Sequence, residues 1–218
     1  MDLSKYRHIV WDWNGTLLND AWLCVEIVNR LLTERGKAPV TLEQYAEIFD
    51  FPVSDYYRKI GFDYESEPFE KLAIDFIEEY ERRRAECRLQ PGASEVLKAL
   101  NDAGFAQSVL SAYNQIRLEE AVTAFGLRPF FSRLAGLDDH YAAGKAERGK
   151  DLLDLLDLPA SSILLVGDTR HDYVVAGEMG IDCLLIPGGH CSKERLLSCD
   201  VPVLDSLSEL AKRFTDTV

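Results

Sequence analysis

At 218 residues the chain is long enough for one substantial hydrophobic core and a small accessory lobe. Its formal net charge of −13 weighs against nucleic acid and anionic membranes as partners, since both repel a polyanion. A composition of 47% hydrophobic and 28% charged residues suits a globular protein, and no apolar run reaches signal-peptide or membrane-spanning length. The five cysteines are odd in number and form no Cys-x-x-Cys pair, which points to reduced thiols and a cytoplasmic setting. His190 with Cys191 and Cys199 lacks the second ligand pair of a structural metal site.

In chain order, Ile9-Val10-Trp11 reads as a short buried strand that stops at Asp12 and turns through Asn14-Gly15. From residue 18 to 88 the pattern is helical throughout, with segments at 22–34, 42–49, 54–60 and 69–86 and no convincing strand. Gln90-Pro91-Gly92 marks the return to an alternation of strands and helices. Strands are expected at 106–110, 133–137, 163–166 and 183–186, with 201–204 a candidate edge strand. Helices are expected at 95–103, 117–125, 150–156, 173–179 and 208–214. Such alternation implies parallel pairing by right-handed crossovers, hence an α/β Rossmann-like three-layer sandwich. The expected division is a core of residues 1–17 and 89–218 with an inserted all-helical cap of residues 18–88. The insert reads either as a lid over the sheet edge or as a helical bundle without functional relation. Its position directly after Asp12 favours the lid.

Open α/β sheets bind ligands at the carboxyl ends of their strands. Four segments would converge there: Asp12, Ser111 after Ser108-Val109-Leu110, Lys145 in a Gly-Lys segment, and Gly167-Asp168-Thr169-Arg170-His171-Asp172. A carboxylate nucleophile, a hydroxyl, an ammonium and a carboxylate pair are what phosphoryl transfer through a covalent aspartyl intermediate requires. Taken singly, Asp12 reads as a turn cap, Ser111 as a strand end, and Asp168 as a helix cap. Asp168 and Asp172, one helical turn apart, are better explained by a cation, because buried paired carboxylates raise each other's pKa.

The stretch Asp12-Trp13-Asn14-Gly15-Thr16-Leu17 resembles the Asp-x-Asp-Gly-Thr-Leu nucleophile motif of haloacid dehalogenase-like phosphatases, and the ordered set of later motifs extends the likeness along nearly the whole chain. The resemblance implies that Asp12 attacks phosphorus, Ser111 binds the phosphoryl oxygens and Lys145 neutralises charge. Lys150 competes for that last role, but Lys145, 23 residues before Asp168, fits the family spacing better. It further implies Mg²⁺ held by Asp12, Asp168, Asp172 and the main-chain carbonyl of Asn14, an assignment consistent with a hard ion that prefers oxygen. A small phosphorylated metabolite is the expected partner, with architecture like that of a phosphoglycolate phosphatase. Gly15, Thr16 and Ala112, beside the motif residues, together with Tyr56 and Arg58 in the cap, are candidate substrate contacts. Phe51-Pro52 and Tyr57 belong to the same cap segment, and Arg58 is the residue suited to clamp an anionic leaving group. The backbone of Gly188-Gly189-His190 is a further candidate for the site entrance.

One position departs from the motif. Asn14 stands where the phosphatases carry a second Asp, which protonates the leaving group and then activates water. Asn cannot transfer that proton, a loss of on the order of 10²–10⁴-fold. Three readings follow: a Mg²⁺-dependent phosphatase that is slow or selective for good leaving groups, an attenuated phosphate- or partner-binding protein, or a carbon-centred dehalogenase-type hydrolase. Asp168 and Asp172 speak against the third, which needs no cation. His171 and His140 are candidates to supply part of the missing proton transfer.

Overall fold

The computed structural model describes residues 3–137 and 144–215, so His140 lies outside the described residues. Its centre is a five-stranded sheet: β1 (His8–Trp11), β4 (Ala106–Asn114), β5 (Arg133–Leu137), β6 (Ile163–Gly167) and β7 (Asp182–Leu185). The spatial order is β5-β4-β1-β6-β7, and every pairing is parallel. All residues of β1 and β6 are buried, as expected for parallel strands covered on both faces. Ile9 and Trp11 join one apolar cluster, while Val10 belongs to the other, so successive side chains feed two layers. The first layer receives α5 (Ala93–Asp102) and α10 (Leu207–Thr215), and the second α7 (Lys145–Leu156) and α8 (Arg170–Met179). Between β4 and β5 lies α6 (Gln115–Ala124). Two polar pairs within these layers are matched across neighbouring strands: Trp11 Nε1 donates to Gln107 Oε1 at 3.0 Å, and His8 Nε2 lies 2.9 Å from Ser108 Oγ.

The insert contains α1 (Ala21–Glu34), α2 (Leu42–Ile48), α3 (Val53–Lys59) and α4 (Phe69–Arg83). It is not strand-free as expected, because β2 (Leu18–Asn19) and β3 (Arg88–Leu89) form an antiparallel two-stranded ribbon at its root. Two-residue strands are too short to show periodicity. The insert is fastened to the core at α2. Arg195, in the short helix α9 (Lys193–Leu196), donates to the carbonyls of Ala46 at 3.1 Å and Phe49 at 2.5 Å and to Asp50 Oδ2 at 2.7 Å. Carbonyls at a helix end are orphan acceptors, so a cation from outside the insert completes the terminus of this helix.

Three expected elements shift. The edge strand at 201–204 reduces to one bridge between Leu185 and Val203. Pro202 has no N–H to extend a ladder. The helix expected at 150–156 begins at Lys145, after Gly144 with φ +106°. Strand β4 runs past Leu110 to Asn114, with a register shift against β5: Leu110 pairs with Ala135 but Asn114 with Leu137. The extra residues bulge the strand at Ser111–Tyr113, at the sheet edge where a bulge re-aims side chains.

Candidate active site

Asp12 follows the central strand β1, whose neighbours β4 and β6 lie on opposite sides, so it stands at the topological switch point of the sheet. Its Oδ1 accepts from Lys145 Nζ at 2.5 Å, and its Oδ2 from Thr16 Oγ1 at 3.2 Å. Lys145, the first helical residue of α7, is buried and also donates to Asp172 Oδ1 at 2.7 Å. Lys150 is exposed on the same helix. Asp172 sits in the first turn of α8, where its Oδ2 accepts from the Thr169 N–H and hydroxyl at 3.0 and 2.6 Å. Asp172 therefore both caps its helix and faces the site, with one oxygen serving each role. Asp168, at the end of β6, accepts from Thr16 Oγ1 at 2.7 Å and from the His190 N–H at 2.7 Å. Gly15 has φ +81°, and a Cβ there would fall 2.3 Å from Asp168 Oδ2, so only glycine allows this turn beside this carboxylate. Ser111 is buried in the β4 bulge and accepts from the Tyr113 N–H at 3.1 Å.

The charge balance follows from burial. Desolvation first, and then Asp172 and Asp168, push Asp12 up to about 7 even though Lys145 pulls it down. Asp168 rises to about 6, again chiefly through burial. Asp172 is lowered: burial opposes ionisation, but Lys145 and the Thr169 hydrogen bonds outweigh it. Carboxylate oxygens of Asp12, Asp168 and Asp172 lie within 4.8 Å of one another. Three buried carboxylates against a single ammonium leave a negative surplus, and an all-oxygen set matches a hard divalent cation.

A second buried network stands beside the first. Asn14 Nδ2 donates to Asp20 Oδ2 and to the Tyr80 hydroxyl, both at 2.8 Å, and Tyr80 donates to Asp20 Oδ2 at 2.7 Å. The Gly15 N–H reaches Asp20 Oδ1 at 2.9 Å. His190 Nε2 lies 3.3 Å from that same oxygen, and its Nδ1 is 2.8 Å from the Tyr45 hydroxyl. Burial disfavours both charges, yet each sustains the other: Asp20 is lowered and His190 rises to about 9. Asp20 and Tyr80 escape sequence reasoning, which credits only the backbone around His190. Asp20 precedes α1 and so reads as a helix cap, but its side chain makes no capping hydrogen bond and turns into the site instead. Ligand atoms of Asp20 and His190 also cluster with Cys24, but both ring nitrogens of His190 are already engaged.

These groups border a cavity of about 320 Å³ between the helical insert and the sheet edge. Asp12, Asn14, Ser111, Ala112, Lys145, Asp172 and Tyr56 line it, as do His171 and Tyr57. Arg58 is not brought there. It is exposed, pairs with Asp55 at 3.0 Å and lies over the Tyr64 ring, so its expected role as an anion clamp fails on position. His171 stacks on Phe51 with ring centroids 4.4 Å apart, and burial lowers its pKa.

The family description "Haloacid dehalogenase-like hydrolase" matches residues 9–186. Among curated proteins the chain is similar to a phosphoglycolate phosphatase of Synechococcus elongatus, 22% identical over 95% of this chain and 96% of the other. It is also similar to a 5'-nucleotidase of Pseudomonas aeruginosa, 26% identical over 88% and 87%. A solved haloacid dehalogenase-like protein from Agrobacterium tumefaciens superposes with a TM-score of 0.80 at 19% identity, over 97% of this chain and 98% of that one.

Proposed function

The chain belongs to the haloacid dehalogenase-like hydrolase family, and from that premise we propose that it hydrolyses small phosphate monoesters through an aspartyl-phosphate on Asp12. The observation that carries this reading is the meeting of Asp12, Ser111, Lys145 and Asp172 at the sheet-edge end of one cavity, beneath the helical insert. In this reading residues 1–17 and 89–218 form the catalytic core, and residues 18–88 a cap that closes over the substrate. The names of the relatives, a phosphoglycolate phosphatase and a 5'-nucleotidase, agree with it. The three-carboxylate cluster would be idle in a carbon-centred hydrolase that uses no cation.

Asp12, Asp168, Asp172 and the Asn14 main-chain carbonyl would hold Mg²⁺. When bound, the ion supplies positive charge that shields the phosphate from the carboxylates and polarises it. Lys145 favours the anionic form of the attacking carboxylate by direct contact, against the burial that raises its pKa. Ser111 and Lys145 receive the phosphoryl oxygens, and Thr16 fixes the relative position of Asp12 and Asp168. An Asp12 oxygen bonds to phosphorus as the ester oxygen leaves with both electrons of the broken bond. Water then attacks the aspartyl-phosphate, restoring the carboxylate and releasing phosphate. Asn14 cannot donate the proton that the leaving oxygen needs, and its amide is already committed to Asp20 and Tyr80. Burial favours the neutral ring of His171, which weighs against it as the donor of that proton. Turnover is therefore fastest for esters whose alcohol leaves readily as an anion.

Release of p-nitrophenol from its phosphate ester tests the proposal. Wild type turns over with Mg²⁺, loses activity reversibly in chelator, and loses about 10³-fold or more on Asp12→Asn. Full activity in Asp12→Asn overturns the covalent mechanism.

A further inference from the structure

The organic half of the substrate leaves its imprint in the cavity between the helical insert and the sheet edge. Much of that cavity is walled by aromatic and aliphatic side chains of the insert, among them Phe49, Phe51, Tyr57, Phe69, Phe76 and Ile77. Among the described residues, Lys145 is the only lysine or arginine lining the cavity, and Asp12 and Asp172 already hold it. His190 is held by Asp20 and Tyr45, and His171 lies against Phe51. Two further carboxylates, Asp20 and Glu81, also line the space, the first paired with His190 and the second with Arg84 and Arg117. A second anion on the substrate would therefore meet apolar walls and charges that already have partners, with no free cation among the described lining residues to receive it, an expensive burial. Aromatic walls instead reward a flat apolar group by area and by edge or face contact.

On these grounds we infer that the substrate is a phosphate monoester of an uncharged, aromatic alcohol or phenol, and that carboxylate-bearing esters of the phosphoglycolate kind are rejected. The inference rests on the phosphatase reading above and narrows it. It is opposite in charge to what the name of the Synechococcus relative suggests.

The test compares Mg²⁺-dependent phosphate release from 2-phenylethyl phosphate, ethyl phosphate and phosphoglycolate, with p-nitrophenyl phosphate as the generic control. The first three all leave as alkoxides, so differences among them read the cavity rather than the ease of departure. The expected order is 2-phenylethyl above ethyl by about tenfold or more in kcat/KM, with phosphoglycolate below ethyl. Phe76→Ala lowers the phenylethyl-to-ethyl ratio, and Ile77→Lys raises phosphoglycolate relative to ethyl phosphate, each read on protein with a cooperative melt. If phosphoglycolate matches or exceeds 2-phenylethyl phosphate, the inference fails and the phosphatase reading stands. If no ester, the generic control included, releases phosphate, both fail.

Discussion

Asn14→Asp restores the residue that phosphatases of this family carry, but it does so opposite a carboxylate. In the wild type Asn14 Nδ2 donates to Asp20 Oδ2 at 2.8 Å. The substitution leaves two carboxyl oxygens facing each other at that separation. At an effective dielectric of about 20 the repulsion of two full charges so close is about 6 kcal/mol, or about four pKa units. The pair therefore retains one proton through neutral pH, as close carboxylate pairs do. His190 keeps Asp20 ionised, so the shared proton resides on the carboxyl introduced at position 14, which is the form a general acid needs. The gain should depend on the leaving group. Ethyl phosphate, whose alkoxide needs protonation, rises by about 10²-fold or more in kcat/KM, and p-nitrophenyl phosphate by far less. Initial rates on both esters from about pH 5 to 9 read this directly, and the gain should fade at the alkaline end as the shared proton is lost. A folded Asn14→Asp protein that gains nothing on ethyl phosphate, or gains equally on both esters, refutes the reasoning.

Three further outcomes follow from the contacts. Lys145→Met leaves Asp12 and Asp172 buried without their common cation, a loss of about 3–5 kcal/mol that calorimetry should read as a melting point lower by about 6–20 °C, partly recovered in Mg²⁺. Arg195→Ala removes the bonds that seat α2 on the core, so kcat/KM should fall about tenfold while the melting point drops only slightly; unchanged kinetics would show that cap closure does not depend on this contact. His8, buried beside Ser108, is lowered by desolvation from 6.5 to about 4. Because its folded-state pKa lies below the unfolded one, its contribution is complete above pH 6.5 and is lost as pH falls toward 4. The loss amounts to about 3 kcal/mol, and denaturant titrations of wild type and His8→Gln across that window should differ in slope accordingly.

The elements most legible in this sequence are those with an internal pattern. The apolar runs behind β1, β6 and β7 announce themselves because parallel strands are buried on both faces, while residues 133–137, an edge strand exposed at Arg133, give a weaker signal. The β4 bulge is not legible, since Ala112 and Tyr113 continue no apolar run, and the register shift that bends the strand depends on where β5 lies. The start of α7 at Lys145 is hidden by Gly144 and Gly149, which read as helix-breaking until the left-handed turn at Gly144 is seen. Asp12, Ser111, Lys145, Asp168 and Asp172 are visible because each follows or precedes such an element. Asp20, Tyr80 and His190 have no comparable flag. They meet across 60 or more positions of sequence, and each has an ordinary local reading as a cap, a helix-core tyrosine or a loop histidine.

That second group alters what Asn14 means. Taken as an isolated change, Asn for Asp is a lost proton donor. In the folded chain its amide gives hydrogen bonds to Asp20 and Tyr80, and Asp20 in turn holds the Gly15 N–H and the His190 ring. The His190 backbone N–H then anchors Asp168. The loop after β1 and the loop after β7 are thus tied through one buried carboxylate that needs donors on every side, and an ionised carboxylate at position 14 would set a second anion against it. The amide is the side chain that this network can accept without binding an extra proton. On the proposed reading, the same physics that removes the general acid therefore holds the Asp168 end of the site together, and it directs the search for substrates toward esters that leave without help.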